Sequence, residues 1–155
     1  MSAIGQATDG AFATCGVDHV HFWWRKEGAS SEDPSSVYYR ERGLLCGVVP
    51  AQAQLCVCAV GAKVVSGCAS GHLLVWEGRT CSAGLKHHAG AVTALCPIEA
   101  SPDGARASGL ISGCSEGKVI VWTALLEPTT TFDLQALGPV KRDVRFARFS
   151  IRLGF

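Results

Sequence analysis

The chain has little charge. Asp, Glu, Lys and Arg make up 17% of its 155 residues, and 14 basic against 13 acidic side chains leave a formal charge of +1. Domains that bind nucleic acid usually carry a strongly basic surface, so no nucleic-acid partner is expected. The opening MSAIGQATDGAF lacks a basic n-region and a long apolar core, so it does not read as a secretion signal. No G-x-x-x-x-G-K-S/T run occurs, and no phosphate-cradling loop is expected. The eight cysteines include no C-x-x-C pair, which removes the commonest zinc and redox spacings. Residues 44–62 carry no charge over nearly the length of a membrane-spanning helix. Gly47, Pro50, Gln52, Gln54 and Gly61 break that stretch, so it reads as two strands with a turn, and no membrane partner is expected.

What is present is a repeat. Residues 12–23 read FATCGVDHVHFW, 65–76 read VSGCASGHLLVW and 111–122 read ISGCSEGKVIVW. The copies start 53 and then 46 residues apart. Each has an apolar strand, a short turn of small or polar residues, and a second apolar strand ending in Trp23, Trp76 or Trp122. Glycine and short polar residues between β-branched runs are hairpin signals. HLLVW and KVIVW are apolar at every second and every intervening position, so both sheet faces need cover. Small sheets at this period, apolar on both faces, imply radial stacking as in a propeller.

The expected fold is therefore all-β, a partial propeller with about two complete four-stranded blades and partial blades flanking them. The pieces fall approximately at 10–26, 53–88, 89–137 and 144–155. LCVCAV (55–60) and AVTALC (91–96) serve as inner strands, and TTTFDLQAL (129–137) as an outer strand. RFARFS (145–150) matches AVTALC in spacing and reads as the first strand of a further blade. Turn formers crowd residues 27–36 and 101–104, which read as loops. Cys15, Cys68 and Cys114 fall in one slot of the aligned copies, which suggests packing by a small residue, with the thiols reduced.

HHAGAVTALCP followed by ISGCSEGKVIVW resembles a WD repeat. The resemblance implies a buried His–Ser/Thr–Asp–Trp hydrogen-bond network that fixes each blade. His88, Ser112 and Trp122 take its positions in the third copy, with Glu116 where the acid belongs. Thr14, Asp18 and Trp23 take them in the first copy, and Ser66 and Trp76 in the second, where Ser70 replaces the acid.

The run T-C-G-x-x-H-x-x-F-W (14–23), then YYRERGLL, VVSGCASGHLLVWEG and HAGAVTALCPIE, is similar in order and spacing to the echinoderm microtubule-associated-protein-like family. That resemblance spans roughly residues 10–135. It implies tandem propellers that associate with tubulin or microtubules, a cytoplasmic, cytoskeleton-associated location, and no catalytic residues, cofactor or metal. The family's N-terminal coiled coil and basic segment are missing here. A closed propeller typically needs four to eight blades, so further blades or another chain are expected to complete the ring.

Several motifs invite chemistry and have plainer explanations. Gly113-Cys114-Ser115-Glu116-Gly117 fits G-x-S-x-G, but a nucleophile elbow needs a helix after the serine, and KVIVW follows. Every histidine also precedes Ser115, against the hydrolase order. His19 and His21 share one strand face and could give two metal ligands, as could Cys56 and Cys58, yet no partner set has zinc-like spacing. Glu32-Asp33 reads as a solvated pair. Lys141, Arg142, Arg145, Arg148 and Arg152 make a basic tail interleaved with apolar residues: a strand of a further blade, a docking segment for an acidic partner, or a disordered end. The expected function is a non-enzymatic protein-interaction module binding through loops such as 25–36, 77–87 and 99–108. The alternative is a generic WD scaffold in a ubiquitin-ligase or ciliary complex, since a fold does not fix a function.

Overall fold

A computed structural model describes residues 3–6, 11–26, 37–100 and 108–137. The expected strand at 145–150, the blade piece 144–155, the basic tail and Glu32-Asp33 lie outside these residues. The described residues form three four-stranded antiparallel sheets, each a meander in chain order. The first holds β1 (Ala3–Gln6), β2 (Phe12–Gly16), β3 (His19–Arg25) and β4 (Tyr38–Arg42). The second holds β5 (Gln54–Val60), β6 (Lys63–Cys68), β7 (His72–Glu77) and β8 (Thr80–Lys86). The third holds β9 (Val92–Ile98), β10 (Gly109–Cys114), β11 (Lys118–Thr123) and β12 (Pro128–Asp133), with a 3-10 turn at Leu134–Leu137.

Each repeated motif forms the central hairpin of its sheet. The tryptophans pair with the first residue of the motif or its neighbour: Phe12 with Trp23, Val64 with Trp76, Leu110 with Trp122. The sheets meet through their first strands, β1 and β2 against β5, then β5 and β6 against β9. Inner strands that touch while outer strands part make a fan, which is the geometry of blades around an axis.

Two apolar layers fill the gaps between sheets. Ala13, Cys15, Val20 and Phe22 face Val57, Cys68, Leu74 and Trp76 across the first gap. Cys56, Cys58, Val65, Leu73 and Val75 face Val92, Leu110, Ile120 and Trp122 across the second. The second sheet is thus covered on both faces, which is why its strands are apolar throughout. Burying a side chain of that size contributes about 1.5–3 kcal/mol, and Trp76 and Trp122 are 1% and 2% exposed.

The structure departs from the sequence-based expectations in four places. The first sheet is complete, spanning 3–42 where only 10–26 was expected, because YYRER pairs with β3 and AIGQ with β2. Residues 44–62 hold one full strand, β5. Before it the backbone makes only a bridge at Leu44 with Thr80, then turns through Cys46 and Gly47, both at positive φ. Most of 77–87, expected as a loop, is strand β8, with Cys81 and Ala83 packed inward. Cys15 does not share a slot with Cys68 and Cys114. The first hairpin turns through Val17-Asp18, one residue fewer than Ala69-Ser70-Gly71 or Ser115-Glu116-Gly117, so Cys15 pairs with Val20 and faces the second sheet. A one-residue change inverts the face a strand residue occupies.

Candidate functional site

The polar residues of the repeat sit where strand geometry brings a hydroxyl under an indole. In every sheet the tryptophan N–H donates to the hydroxyl two residues along the neighbouring strand. Trp23 Nε1 donates to Thr14 Oγ1 at 3.0 Å, Trp76 Nε1 to Ser66 Oγ at 2.9 Å and Trp122 Nε1 to Ser112 Oγ at 2.8 Å. Ser66 and Ser112 are fully buried, so each hydroxyl needs a second partner for its own proton.

The third sheet supplies that partner from the loop preceding it. His88 Nε2 lies 2.7 Å from Ser112 Oγ, and His87 sets its ring edge-on to Trp122 with centroids 5.1 Å apart. Burial, then the charges of His87, Lys118 and Lys86, hold the His88 imidazole below its ordinary pKa, which keeps it neutral. Ser112 Oγ accepts from Trp122 and shares one proton with His88 Nε2, the hydroxyl or the ring donating according to the imidazole tautomer. His88 Nδ1 is buried without a hydrogen-bond partner. Glu116, at the acidic position of the repeat, lies exposed over Gly90 and leaves Nδ1 unpaired.

The second sheet uses a residue the repeat pattern does not reveal. Ser66 Oγ donates to Gln54 Oε1 at 2.8 Å, and Cys68 Sγ reaches the same oxygen at 3.2 Å. Gln54 is 4% exposed and takes the part that His88 plays in the third sheet. Its sequence signal was a lone amide heading the apolar run LCVCAV. The turn at Ser70 is tied separately, by Ser70 Oγ to His72 Nδ1 at 2.7 Å, by Gln52 Oε1 accepting from Ser70 N at 3.1 Å, and by Lys86 Nζ on Ser70 O. In the first sheet Asp18 sits exposed in the β2–β3 turn, and its backbone carbonyl accepts from Arg42 at 2.9 Å.

The decoy motifs resolve structurally. Ser115 stands exposed in the β10–β11 turn, its N–H donating to Ala91 O at 2.8 Å, and strand β11 follows it in place of a helix. Cys56 and Cys58 are buried on the face toward the third sheet, where burial pushes both thiols up, Cys58 to about 12. Among the described residues no three His, Cys, Asp or Glu side chains gather as metal ligands. No described helix is long and apolar enough to cross a membrane.

No family profile matches the chain, and no curated protein matches it. A solved structure does: the WD40 β-propeller domain of Doa1, at a TM-score of 0.52 and 12% identity, covering 84% of this chain and 39% of that one. The fold is that of a WD40 β-propeller. The chain spans about two fifths of the propeller it matches, consistent with three sheets of a larger ring. Within the WD40 frame the Trp–Ser and Trp–Thr bonds tie the second and third strands of each blade, and the histidine or glutamine ties the inner edge to them. The long connections leave from one side of this frame. In an antiparallel meander the first-to-second and third-to-fourth connections leave the same end of the sheet. That puts the strand ends flanking residues 27–36 and 101–107 at the end opposite the Ser70 and Glu116 turns, with Lys26 N donating to Val37 O at 2.8 Å between the first pair.

Proposed function

We propose that this chain is a non-enzymatic protein-interaction module, a stretch of WD40 propeller whose blades present loops to a partner protein. The observation that carries this reading is the framework itself. The conspicuous polar residues of the repeat, Ser66, Ser112 and His88, are buried, together with Gln54, and spent on holding strands together. The strand ends that lead into residues 27–36 and 101–107 lie at matching ends of their sheets, so the connections there start from a rigid base.

The partner we infer is tubulin in polymerised form, reached by the full-length parent with the remaining blades in place, in a cytoplasmic and cytoskeletal setting. Support comes from the order and spacing of T-C-G-x-x-H-x-x-F-W, YYRERGLL and HAGAVTALCPIE, which are similar to the echinoderm microtubule-associated-protein-like family. Co-sedimentation of the parent with microtubules tests this, and the expected result is salt-sensitive pelleting. Absence of the parent from the microtubule pellet at low salt removes the tubulin assignment. The second reading, a WD scaffold in a ubiquitin-ligase or ciliary complex, shares the fold. It is favoured by affinity capture that recovers ligase or ciliary subunits and no tubulin.

A further inference from the structure

A longer connection fastens the first sheet to the second than joins the second to the third. Residues 43–53 link β4 to β5, whereas 87–91 link β8 to β9. The longer connection lies inside the described fold, with a complete sheet on each side of it. It begins on the outer edge of the second sheet. Leu44 N donates to Arg79 O and Leu44 O accepts from Cys81 N, both at 2.9 Å, and Glu41 meets Arg79 at 3.6 Å. The chain then turns through Leu45–Val48, closed by Val48 N donating to Leu45 O at 3.0 Å. After the turn it returns to the same strand. A Cβ at Gly84 would lie 3.1 Å from a Val48 methyl and 3.2 Å from a Val49 methyl. Leu45 and Val49 pack into the core between the first two sheets.

These contacts fix where Cys46 stands. The turn that carries it is pinned to β8 at Cys81 on one side and at Gly84 on the other, so Cys46 is held over that strand. Cys46 has φ +51° and Gly47 φ +75°, and the left-handed region is one that residues with a Cβ seldom adopt. Of the eight cysteines Cys46 alone is exposed, so an oxidant in solution meets it first. Cys81 lies beneath, 2% exposed. Burial raises the Cys81 thiol, its contact with the Ala83 carbonyl at 3.5 Å offsets part of that, and the Cys46 thiol raises it further, as a neighbouring sulfur does. A disulfide needs its Cα atoms within about 7 Å. Leu44, bonded to the Cys81 backbone, is two residues from Cys46, so closure asks only for a small movement of the turn, with Gly47 as its pivot.

We propose that Cys46 and Cys81 form a reversible disulfide on exposure to hydrogen peroxide, locking the 43–53 connection onto the outer strand of the second sheet. The Cys46 sulfur attacks peroxide: an S–O bond forms, the O–O bond breaks and one water leaves, giving the sulfenic acid. The Cys81 sulfur then attacks the Cys46 sulfur. The S–S bond forms, the S–O bond breaks, and the hydroxyl leaves with the Cys81 proton as a second water. Two thiols lose two electrons in all, and peroxide is reduced to two waters. A dithiol reductant restores both thiols by exchange. The bond encloses β5, β6 and β7, and it holds Leu45 and Val49 in the gap between the first two sheets.

The test treats the reduced whole chain with hydrogen peroxide, alkylates the remaining thiols in denaturant, and maps unreduced tryptic peptides by mass spectrometry. The expected product is peptide 80–86 joined to peptide 43–63, lighter by two hydrogens, in monomeric protein and released by dithiothreitol. Peptide 43–63 also holds Cys56 and Cys58, so Cys46→Ser identifies the sulfur. That variant changes an exposed side chain and is expected to lose the link, whereas Cys96→Ser keeps it. Cys81→Ala, where it folds, is expected to leave Cys46 oxidised and unlinked. The urea midpoint of the oxidised chain should rise by about 1 M, the scale set by cross-linking a loop of this length. Cys46→Ser should show no such rise. The proposal is overturned if Cys46 ends as sulfinic acid with Cys81 alkylated, if the main product is a dimer joined through Cys46, or if the link to 80–86 persists in Cys46→Ser.

Discussion

The indole N–H of Trp76 and the hydroxyl of Ser66 are 2.9 Å apart, and Ser66 in turn donates to Gln54 at 2.8 Å. Three strands of the second blade are thereby linked through one buried oxygen. Ser66→Ala leaves the buried Trp76 donor unsatisfied, at a cost of about 1–3 kcal/mol, and leaves the Gln54 oxygen with only the weak thiol donor of Cys68. Thr14→Ala breaks the matching bond to Trp23, but that pair is only partly buried and water can replace the hydroxyl. Urea unfolding followed by tryptophan fluorescence should show a clear loss for Ser66→Ala and a loss under about 1.5 kcal/mol for Thr14→Ala, the usual worth of a hydrogen bond open to solvent. Equal losses would falsify the assignment of Ser66 to a closed network.

His88 makes stability depend on pH. Its folded pKa lies below the unfolded value of 6.5, chiefly through burial. The unfolded chain therefore takes up a proton before the native state does, and native stability rises with pH in that window. Stability is full above the unfolded pKa and is lost as pH falls from there through the folded pKa. His21 is shifted the same way and contributes with the same sign. The urea midpoint measured from neutral to mildly acid pH is expected to fall, and to fall less in His88→Gln. A midpoint that rises on acidification contradicts the neutral, buried His88.

The thiols report the stacking of the sheets. Cys46 is exposed and Cys96 half-buried, whereas Cys15, Cys56, Cys58, Cys68, Cys81 and Cys114 are buried. Burial also raises the thiols of Cys56, Cys58, Cys68 and Cys81, Cys68 to about 11 and Cys58 to about 12, so these carry little thiolate near neutral pH. A thiol-reactive dye should label Cys46 first and Cys96 next, and reach all eight cysteines only in denaturant. Early labelling of Cys15 or Cys68 in the native chain would mean that the first two sheets do not pack face to face.

The repeat made the second and third blades readable, because their hairpins match in length and end in the same residue. The all-β propeller followed from it, while the indole–hydroxyl pairs followed from the resemblance to a WD repeat. What stayed hidden depended on pairing across gaps. Thr80–Lys86 alternates small and polar residues, TCSAGLK, and reads as a loop until β7 provides its ladder. Tyr38–Arg42 is too polar to announce a strand, because its outward face is cationic rather than apolar. Gln54 stands at a different backbone position from His88, so no alignment of the copies brings the two together. Cys15 was misplaced because a turn shorter by one residue shifts register without altering the motif's residues.

Gly71 and Gly117 hold the same place in their hairpin turns and should respond differently to substitution. Both have positive φ, +83° and +76°. A side chain in that left-handed region costs about 1–2 kcal/mol for a residue with a Cβ. The surroundings then separate them. A Cβ at Gly71 would lie 2.3 Å from His88 O and 2.8 Å from Gly90 O, the backbone that carries the histidine of the next blade. A Cβ at Gly117 meets Gln135 Cγ at 3.2 Å, a flexible side chain that can move aside. Gly117→Ala is therefore expected to cost roughly the backbone strain alone, about 1–2 kcal/mol. Gly71→Ala adds displacement of the 88–90 loop, loosens the bond of His88 to Ser112, and should exceed that cost. Denaturant unfolding of the two variants gives the comparison, and the pH dependence tied to His88 should weaken in Gly71→Ala only. If Gly117→Ala proves the more damaging, the close contact between the second blade's turn and the loop of the third is not present in solution.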